Sequence, residues 1–319
     1  MTREQKFSAK IAVGVLAARL ALGKLDAFFR RLVMQKIAFL LGLLLTLSLP
    51  VAAGAKDSDV QLALFQPRTI FHSGITHAHT IALTFDDGPN AHTEEVLDVL
   101  KKLHVKATFF IVGHMAHLHP ATLARIAAEG HLLANHSATH AFMGASYDAN
   151  PELLLNQLRD VDDQIEPLMK PGDKLFYRAP YGAWKSAHAQ ILNADPKLRN
   201  YIGPIYWDIG GDISMSRDGY VMSAADWDCW HLHWSAQTCA KGYLREIRRK
   251  DGGVVLIHCI HVQSAALVAA VVPALIEEGY TFVRLDQMPE YRQYETPDSA
   301  VADATPLPKR ELVRVSAIK

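Results

Sequence analysis

From Ile81 to Arg284 the chain repeats one pattern, a short apolar run followed by an amphipathic stretch. That repeat restricts the fold to parallel strands flanked by helices. Ile81–Phe85, Ala107–Val112, His131–Ala134, Leu175–Arg178, Ile202–Trp207, Gly253–Ile257 and Thr281–Arg284 read as strands. Thr93–Leu103 reads as a helix with Val96, Leu97, Leu100 and Leu103 on one face. Pro120–Glu129 opens on Pro and is followed by Gly130, a helical start and stop. Pro151–Met169, Ser186–Ala194 and Ser264–Glu278 complete the helices, the last expected to kink at Pro273 and closed by Gly279. Periodicity does not say whether such a sheet closes on itself.

One segment breaks the pattern. Gly210–Ala240 is long, polar-aromatic and aperiodic, and reads as a loop insertion; loops of that length are usually functional or disordered. Four of the five tryptophans, Trp207, Trp227, Trp230 and Trp234, lie in or beside it.

The first residues have a different composition. Ile37–Pro50 (IAFLLGLLLTLSLP) is an apolar run preceded by Arg30, Arg31 and Lys36 and followed by small residues at Ala53 and Ala55. This is the layout of a secretory signal, with cleavage expected after Ala55. The run is shorter than the roughly 20 residues of a spanning helix, so an uncleaved anchor is the rival reading. Met34 would make a more usual start for such a signal than Met1. The expected organisation is an extension and signal over 1–55, a lead-in over 56–79, a catalytic domain over 80–290 and a loosely ordered tail over 291–319. Export would place the protein in the periplasm or outside the cell, touching membrane only through this segment.

Lys+Arg and Asp+Glu are balanced at 33 each, which argues against a nucleic-acid partner. Cys229 and Cys239 are close enough in sequence to pair in an exported chain. Cys259 reads as a small buried residue. Of the 16 histidines, His92, His104, His117 and His119 read as surface or helix-flank positions.

The chemistry concentrates in Thr84-Phe85-Asp86-Asp87-Gly88-Pro89 and His136-Ser137-Ala138-Thr139-His140. Two carboxylates end a strand, where strict alternation relaxes and both can reach one cleft. The two histidines stand i, i+4, on one side of a helical turn. One carboxylate and two imidazoles suit a hydrolytic metal with an open position, leaving the other Asp free as a base. The like-charged neighbours are tolerable when the ion neutralises one of them.

TFDDGP followed by HSxxH resembles the first two motifs of the polysaccharide deacetylases, the family-four carbohydrate esterases. Arg178-Ala179-Pro180-Tyr181-Gly182, Asp226-Trp227 and Leu256-Ile257-His258 resemble the other three, in the family's order. The resemblance implies an α/β fold, a distorted (β/α) barrel with fewer than eight complete units, here with the long Trp-rich insertion. It implies Asp87, His136 and His140 as metal ligands, with zinc the default and cobalt or nickel fitting the same set. Asp86 would be the general base, Arg178 the residue that orients it, and His258 the general acid tuned by Asp226. The backbone N–H of Tyr181 would help bind the oxyanion, Leu256 would line the acetyl pocket and Trp227 would wall it. Tryptophans of the insertion are expected to stack on sugar faces, the alternative being a cap that packs its own rings. Two features depart from the pattern. Cys259 stands where the family usually has Asp. Asp226-Trp227 comes some twenty residues after the strand that ends in Trp207-Asp208, so Asp208, Asp212 and Asp228 compete with Asp226. The implied activity is removal of acetyl groups from N-acetylglucosamine units of peptidoglycan first and chitin oligosaccharides second. O-acetyl polysaccharides and non-catalytic glycan binding are the alternatives.

Overall fold

The strand that carries the two aspartates, Thr80–Asp86, is buried along nearly its whole length and is paired on both edges. The computed structural model of the protein describes residues 61–62, 65–70, 78–292 and 294–295. The expected signal at 1–55, much of the lead-in and the tail beyond 295 lie outside them.

The described strands are β1 (Gln61–Leu62), β2 (Phe65–Ile70), β3 (Thr80–Asp86), β4 (Thr108–Ile111), β5 (Leu132–Asn135), β6 (Gly203–Ile205), β7 (Ser214–Met215), β8 (Val221–Ser223), β9 (Gly252–His258), β10 (Thr281–Val283) and β11 (Tyr294–Glu295). The helices used below are α1 (Ala91–Lys102), α2 (Gly113–Leu118), α3 (Pro120–Ala128), α4 (Ala145–Ala149), α5 (Pro151–Ile165), α6 (Ser186–Ala194), α7 (Asp226–His231), α8 (Ala236–Lys250) and α9 (Ser264–Glu277).

β3 pairs in parallel with β9 from Thr80↔Gly252 to Asp86↔His258. Its other edge takes β10 at the start and β4 at the end. β4 pairs with β5, and isolated bridges Asn135↔Tyr177, Phe176↔Ile202 and Ile209↔Val255 carry the parallel ladder back to β9. The ring therefore closes through β3, β4, β5, the 175–178 segment, the 202–209 segment and β9. Two of its members are reduced to a few hydrogen bonds, which is the distortion of this (β/α) barrel.

Alternation along β3 separates two cores. Ile81, Leu83 and Phe85 pack outward with Val96, Leu97 and Leu100 of α1 and with Val268 and Val272 of α9. Ala82 packs inward with Phe110, Phe176, Ile202 and Val254. Thr84 and Asp86 continue that inward series, so a carboxylate is carried to the barrel mouth. α1 starts immediately beyond: the Asn90 side chain accepts from the N–H groups of His92 and Thr93, and Asn90 N donates to Thr93 Oγ1. This reciprocal cap fixes where the chain leaves the site.

Two expectations need correction. The Gly210–Ala240 segment is not a bare loop. It holds the antiparallel pair β7–β8, the short helix α7 and the start of α8, with Cys229 of α7 disulfide-bonded to Cys239 of α8. β7, β8 and α7 are each too short to show a period. The apolar face of α8, Cys239, Ala240, Tyr243 and Ile247, is diluted by a strongly polar remainder. Trp230 and Trp234 pack against the core from this segment, whereas Trp227 stays 38% exposed. Secondly, the tail is ordered at its start: Tyr291 and Tyr294 are buried, and the Tyr291 ring meets Phe176 edge-on at 5.2 Å. Burial of those two rings outweighs the polar composition around them. The lead-in also contributes strands, β2 pairing with β6 and β1 with β11.

Candidate active site

Asp86 is buried at the end of β3, and its Oδ1 accepts a 2.6 Å hydrogen bond from Arg178 Nη1. Arg178 is itself fully buried. Its other N–H groups reach Thr84 Oγ1 and the carbonyls of Ile205 and Tyr206, and its guanidinium lies 4.1 Å over the Phe110 ring. A buried cation is tolerated only when paired and hydrogen-bonded in this way.

Asp87 leaves the strand with φ 72, a left-handed conformation uncommon for a residue other than glycine. That turn takes its side chain out of the strand's alternation and into the same cleft as Asp86. The next residue has to be glycine, because a Cβ on Gly88 would lie 2.5 Å from Cys259 Sγ. Cys259 is a free, fully buried thiol whose N–H donates to the Asp86 carbonyl. Burial pushes that thiol up to about 12.

His136 and His140 converge on Asp87, but not from a helical turn. They sit in a loop after β5 in which Ser137 (φ 71) and His140 (φ 52) are left-handed. Two such residues exclude a helix, and side-chain hydrogen bonds hold the loop instead. Asn135 Oδ1 accepts from Ser137 N, and Ser137 Oγ accepts from His140 N. Nε2 of His136 lies 3.5 Å from Asp86 Oδ2 and from Asp87 Oδ1, and Nε2 of His140 lies 3.2 Å from Asp87 Oδ1.

Among the described residues, Asp87, His136 and His140 form a group able to share one ion, with candidate donor atoms all within 4.8 Å. Two further features fit a cation. His136 Nδ1 donates to the Arg178 carbonyl at 2.8 Å, which leaves the Nε2 lone pair facing the carboxylates. Asp87 Oδ1 is buried and accepts no hydrogen bond. Burial raises the Asp87 carboxyl, but the neighbouring His136, His258 and His140 outweigh it and hold the group well below the usual carboxylate range. Burial lowers His140, so its imidazole favours the neutral, ligating form.

Across the cleft, Asp226 is the carboxylate that meets His258. Its Oδ1 lies 2.9 Å from His258 Nδ1, and its Oδ2 accepts from His258 N at 2.7 Å. Asp208 accepts instead from Val254 N, and Asp212 from Ser223 Oγ. Burial lowers His258, but the Asp226 charge and hydrogen bond, helped by Asp87 and Asp86, raise it to about 10. The imidazole is protonated at neutral pH, with Nε2–H not used by Asp226.

A cavity of about 590 Å³ brings Asp86, Asp87, His140 and His258 together with Tyr181, Trp227 and Leu256. Tyr181 has φ 58 and is 66% exposed, its ring 4.6 Å from the His140 ring. A second recess of about 560 Å³ shares Asp87, His140 and Ile260 with the first. Sequence reading placed Thr84 in the motif without a role, and missed Asn135 and the exposed Phe142, whose ring centroid is 6.1 Å from that of Tyr181. Asn135 precedes the histidine motif directly, and an amide closing an apolar run was the available signal.

Known proteins resemble this chain in sequence and fold. The polysaccharide deacetylase family profile matches residues 73–196. A peptidoglycan-N-acetylglucosamine deacetylase of Bacillus cereus is 32% identical over 245 residues, covering 73% of this chain and 81% of that protein. A chitooligosaccharide deacetylase of Rhizobium leguminosarum bv. trifolii is 31% identical, over 65% of this chain and 90% of that protein. The solved structure of the Bc1960 peptidoglycan N-acetylglucosamine deacetylase superposes with a TM-score of 0.53 at 25% identity, covering 70% of this chain and 93% of that one. The chain belongs to the polysaccharide deacetylase family, the family-four carbohydrate esterases. Its enzyme class is that of a polysaccharide deacetylase, a hydrolase.

Proposed function

We propose that the protein is a divalent-metal-dependent hydrolase that removes the acetyl group from N-acetylglucosamine units of an exported glycan, peptidoglycan in the first place. One observation carries this reading: a carboxylate held by Arg178 and an imidazole held by Asp226 face one cavity beside the Asp87, His136 and His140 group. Those three residues would hold the ion, zinc by default. When bound, it supplies Lewis-acid polarisation of the acetyl carbonyl and a lowered pKa for water.

The remaining steps belong to the chain. Asp86 takes a proton from the attacking water at Oδ2, because Oδ1 is occupied by Arg178. The backbone N–H of Tyr181 donates to the oxyanion that develops on the acetyl oxygen. His258 donates its Nε2 proton to the sugar nitrogen as the C–N bond breaks, giving acetate and a free amine. Asp226 keeps that imidazole oriented and charged. Leu256 and Trp227 border the space for the acetyl methyl.

Chitin oligosaccharides are the second substrate reading, supported by the likeness to the Rhizobium enzyme over 90% of its length. The Cys229–Cys239 bond supports export, since disulfides persist in oxidising compartments. Mass spectrometry of N-acetylglucosamine oligomers and of muropeptides, after incubation with zinc-loaded protein, tests the reading. Loss of an acetyl mass from muropeptides is expected. Loss from the oligomers alone moves the assignment to chitin-type substrates, and loss from neither rejects N-deacetylation of both glycans.

A further inference from the structure

The segment that carries Asp226 is not part of the barrel, yet Asp226 meets His258 with both carboxylate oxygens. Something has to fix α7 against β9. The hydroxyl of Tyr243, on α8, accepts from the Asp226 backbone N–H at 3.1 Å and donates to the Leu256 carbonyl at 2.9 Å. One fully buried oxygen thereby joins the residue that pairs with His258 to the residue that borders the acetyl space. The surroundings close tightly on it. A Cβ on Gly210 would lie 3.1 Å from the Tyr243 hydroxyl and 2.4 Å from the Leu256 oxygen, so only glycine passes there. A Cβ on Gly242 would meet Ala224 at 2.5 Å, which presses α8 onto the chain just before α7.

The disulfide repeats this junction one turn away. Cys239 is four residues before Tyr243 on α8, and Cys229 is three residues after Asp226 on α7, so bond and bridge share the same helix faces. Burial raises the Tyr243 phenol well above its ordinary value, so it stays a donor throughout the working pH range.

We propose that Tyr243 is a positioning residue for the deacetylation, its hydroxyl setting the placement of Asp226 and through it the orientation of His258. The proposal rests on the reading of His258 as the general acid. Without the hydroxyl, a buried N–H and a buried carbonyl lose their partner, and the first turn of α7 shifts to recover one. The groups facing His258 from other elements are Asp86 of β3, Asp87 just beyond it, His140 and His261, and none of them contacts the Tyr243 hydroxyl.

Tyr243→Phe in the full-length, zinc-loaded protein tests this, with an N-acetylglucosamine oligomer as substrate. We expect a melting temperature lowered by a few degrees, from the buried groups left unpaired, with zinc content close to wild type and unchanged KM. The kcat should fall about tenfold, the scale of a sub-ångström misplacement of a catalytic group. The alkaline limb of the kcat profile should move to lower pH, and the downfield His258 Nδ1–H proton resonance should shift. In an Asp226→Ala background the same change should cost nothing further, because its route to His258 is gone. An unmoved resonance with wild-type kcat, or an equal loss in both backgrounds, overturns the proposal. If the phenylalanine variant does not fold, 3-fluorotyrosine at position 243 keeps ring and hydroxyl while weakening the acceptor. The resonance should still shift, and an unmoved one overturns the proposal. If wild-type protein deacetylates no glycan, the functional reading fails, and the resonance still decides the role of Tyr243.

Discussion

Asp86 and His258 are register partners, the last pair of a parallel ladder that runs residue for residue from Thr80↔Gly252. Two adjacent strands therefore deliver a carboxylate and an imidazole to the same height of the barrel. Each is then held by a residue of opposite charge from elsewhere in the chain, Arg178 for Asp86 and Asp226 for His258. The arrangement sets a supported carboxylate and a supported imidazole on two walls of one cleft.

Arg178 is the more costly of the two supports to lose. Its side chain and that of Asp86 are 1% and 4% exposed. Arg178→Ala leaves a buried carboxylate without its cation and two carbonyls without a donor. We expect a loss of about 3–5 kcal/mol in unfolding free energy, the usual cost of breaking a buried pair. Urea denaturation checks it, and a loss under about 1 kcal/mol, the range of a surface pair, would show that the charge is solvated.

The acid role proposed for His258 carries a pH signature. His258 is raised to about 10, with Asp226 the main cause opposing burial. A group acting as an acid works below its pKa, so turnover should hold through neutral pH and fall as pH rises toward 10. In Asp226→Asn the charge is gone, and burial pulls the imidazole down. The alkaline limb should move to lower pH with a reduced kcat. A limb in the wild-type position would mean that another group sets it.

The disulfide predicts a thiol count. The chain has three cysteines, of which Cys229 and Cys239 are bonded and Cys259 is free. Denatured, unreduced protein should titrate one thiol, and reduction should lower the melting temperature, consistent with about 2–4 kcal/mol for a bond of this kind. Three titratable thiols would contradict the pairing.

Much of this was legible in the sequence, and the residues explain which parts. β3, β4 and β9 are continuous apolar runs buried on both faces, so their existence and near-correct ends followed from composition. α6 matched its expected bounds, Ser186–Ala194. The 175–178 segment is held by a few bridges, which no local pattern distinguishes from a full strand. The approach of His136 and His140 followed from their spacing, but the loop that achieves it depends on left-handed Ser137 and His140, which composition does not signal. The choice of Asp226 over Asp208, Asp212 and Asp228 required α7 to be docked on β9, a contact made by Tyr243 at long range.

In the proposed mechanism, neighbouring carboxylates of the same chemistry divide two tasks, Asp87 holding the ion and Asp86 moving the proton. Zinc content by elemental analysis, measured beside the deacetylation rate in Asp86→Asn and Asp87→Asn, tests it directly. Asp86→Asn should keep its zinc and lose about 10²–10⁴ in rate, the range for a general base. Asp87→Asn should lose zinc and rate together, since two imidazoles alone make a weak site. Zinc lost from Asp86→Asn and retained by Asp87→Asn would contradict the assignment.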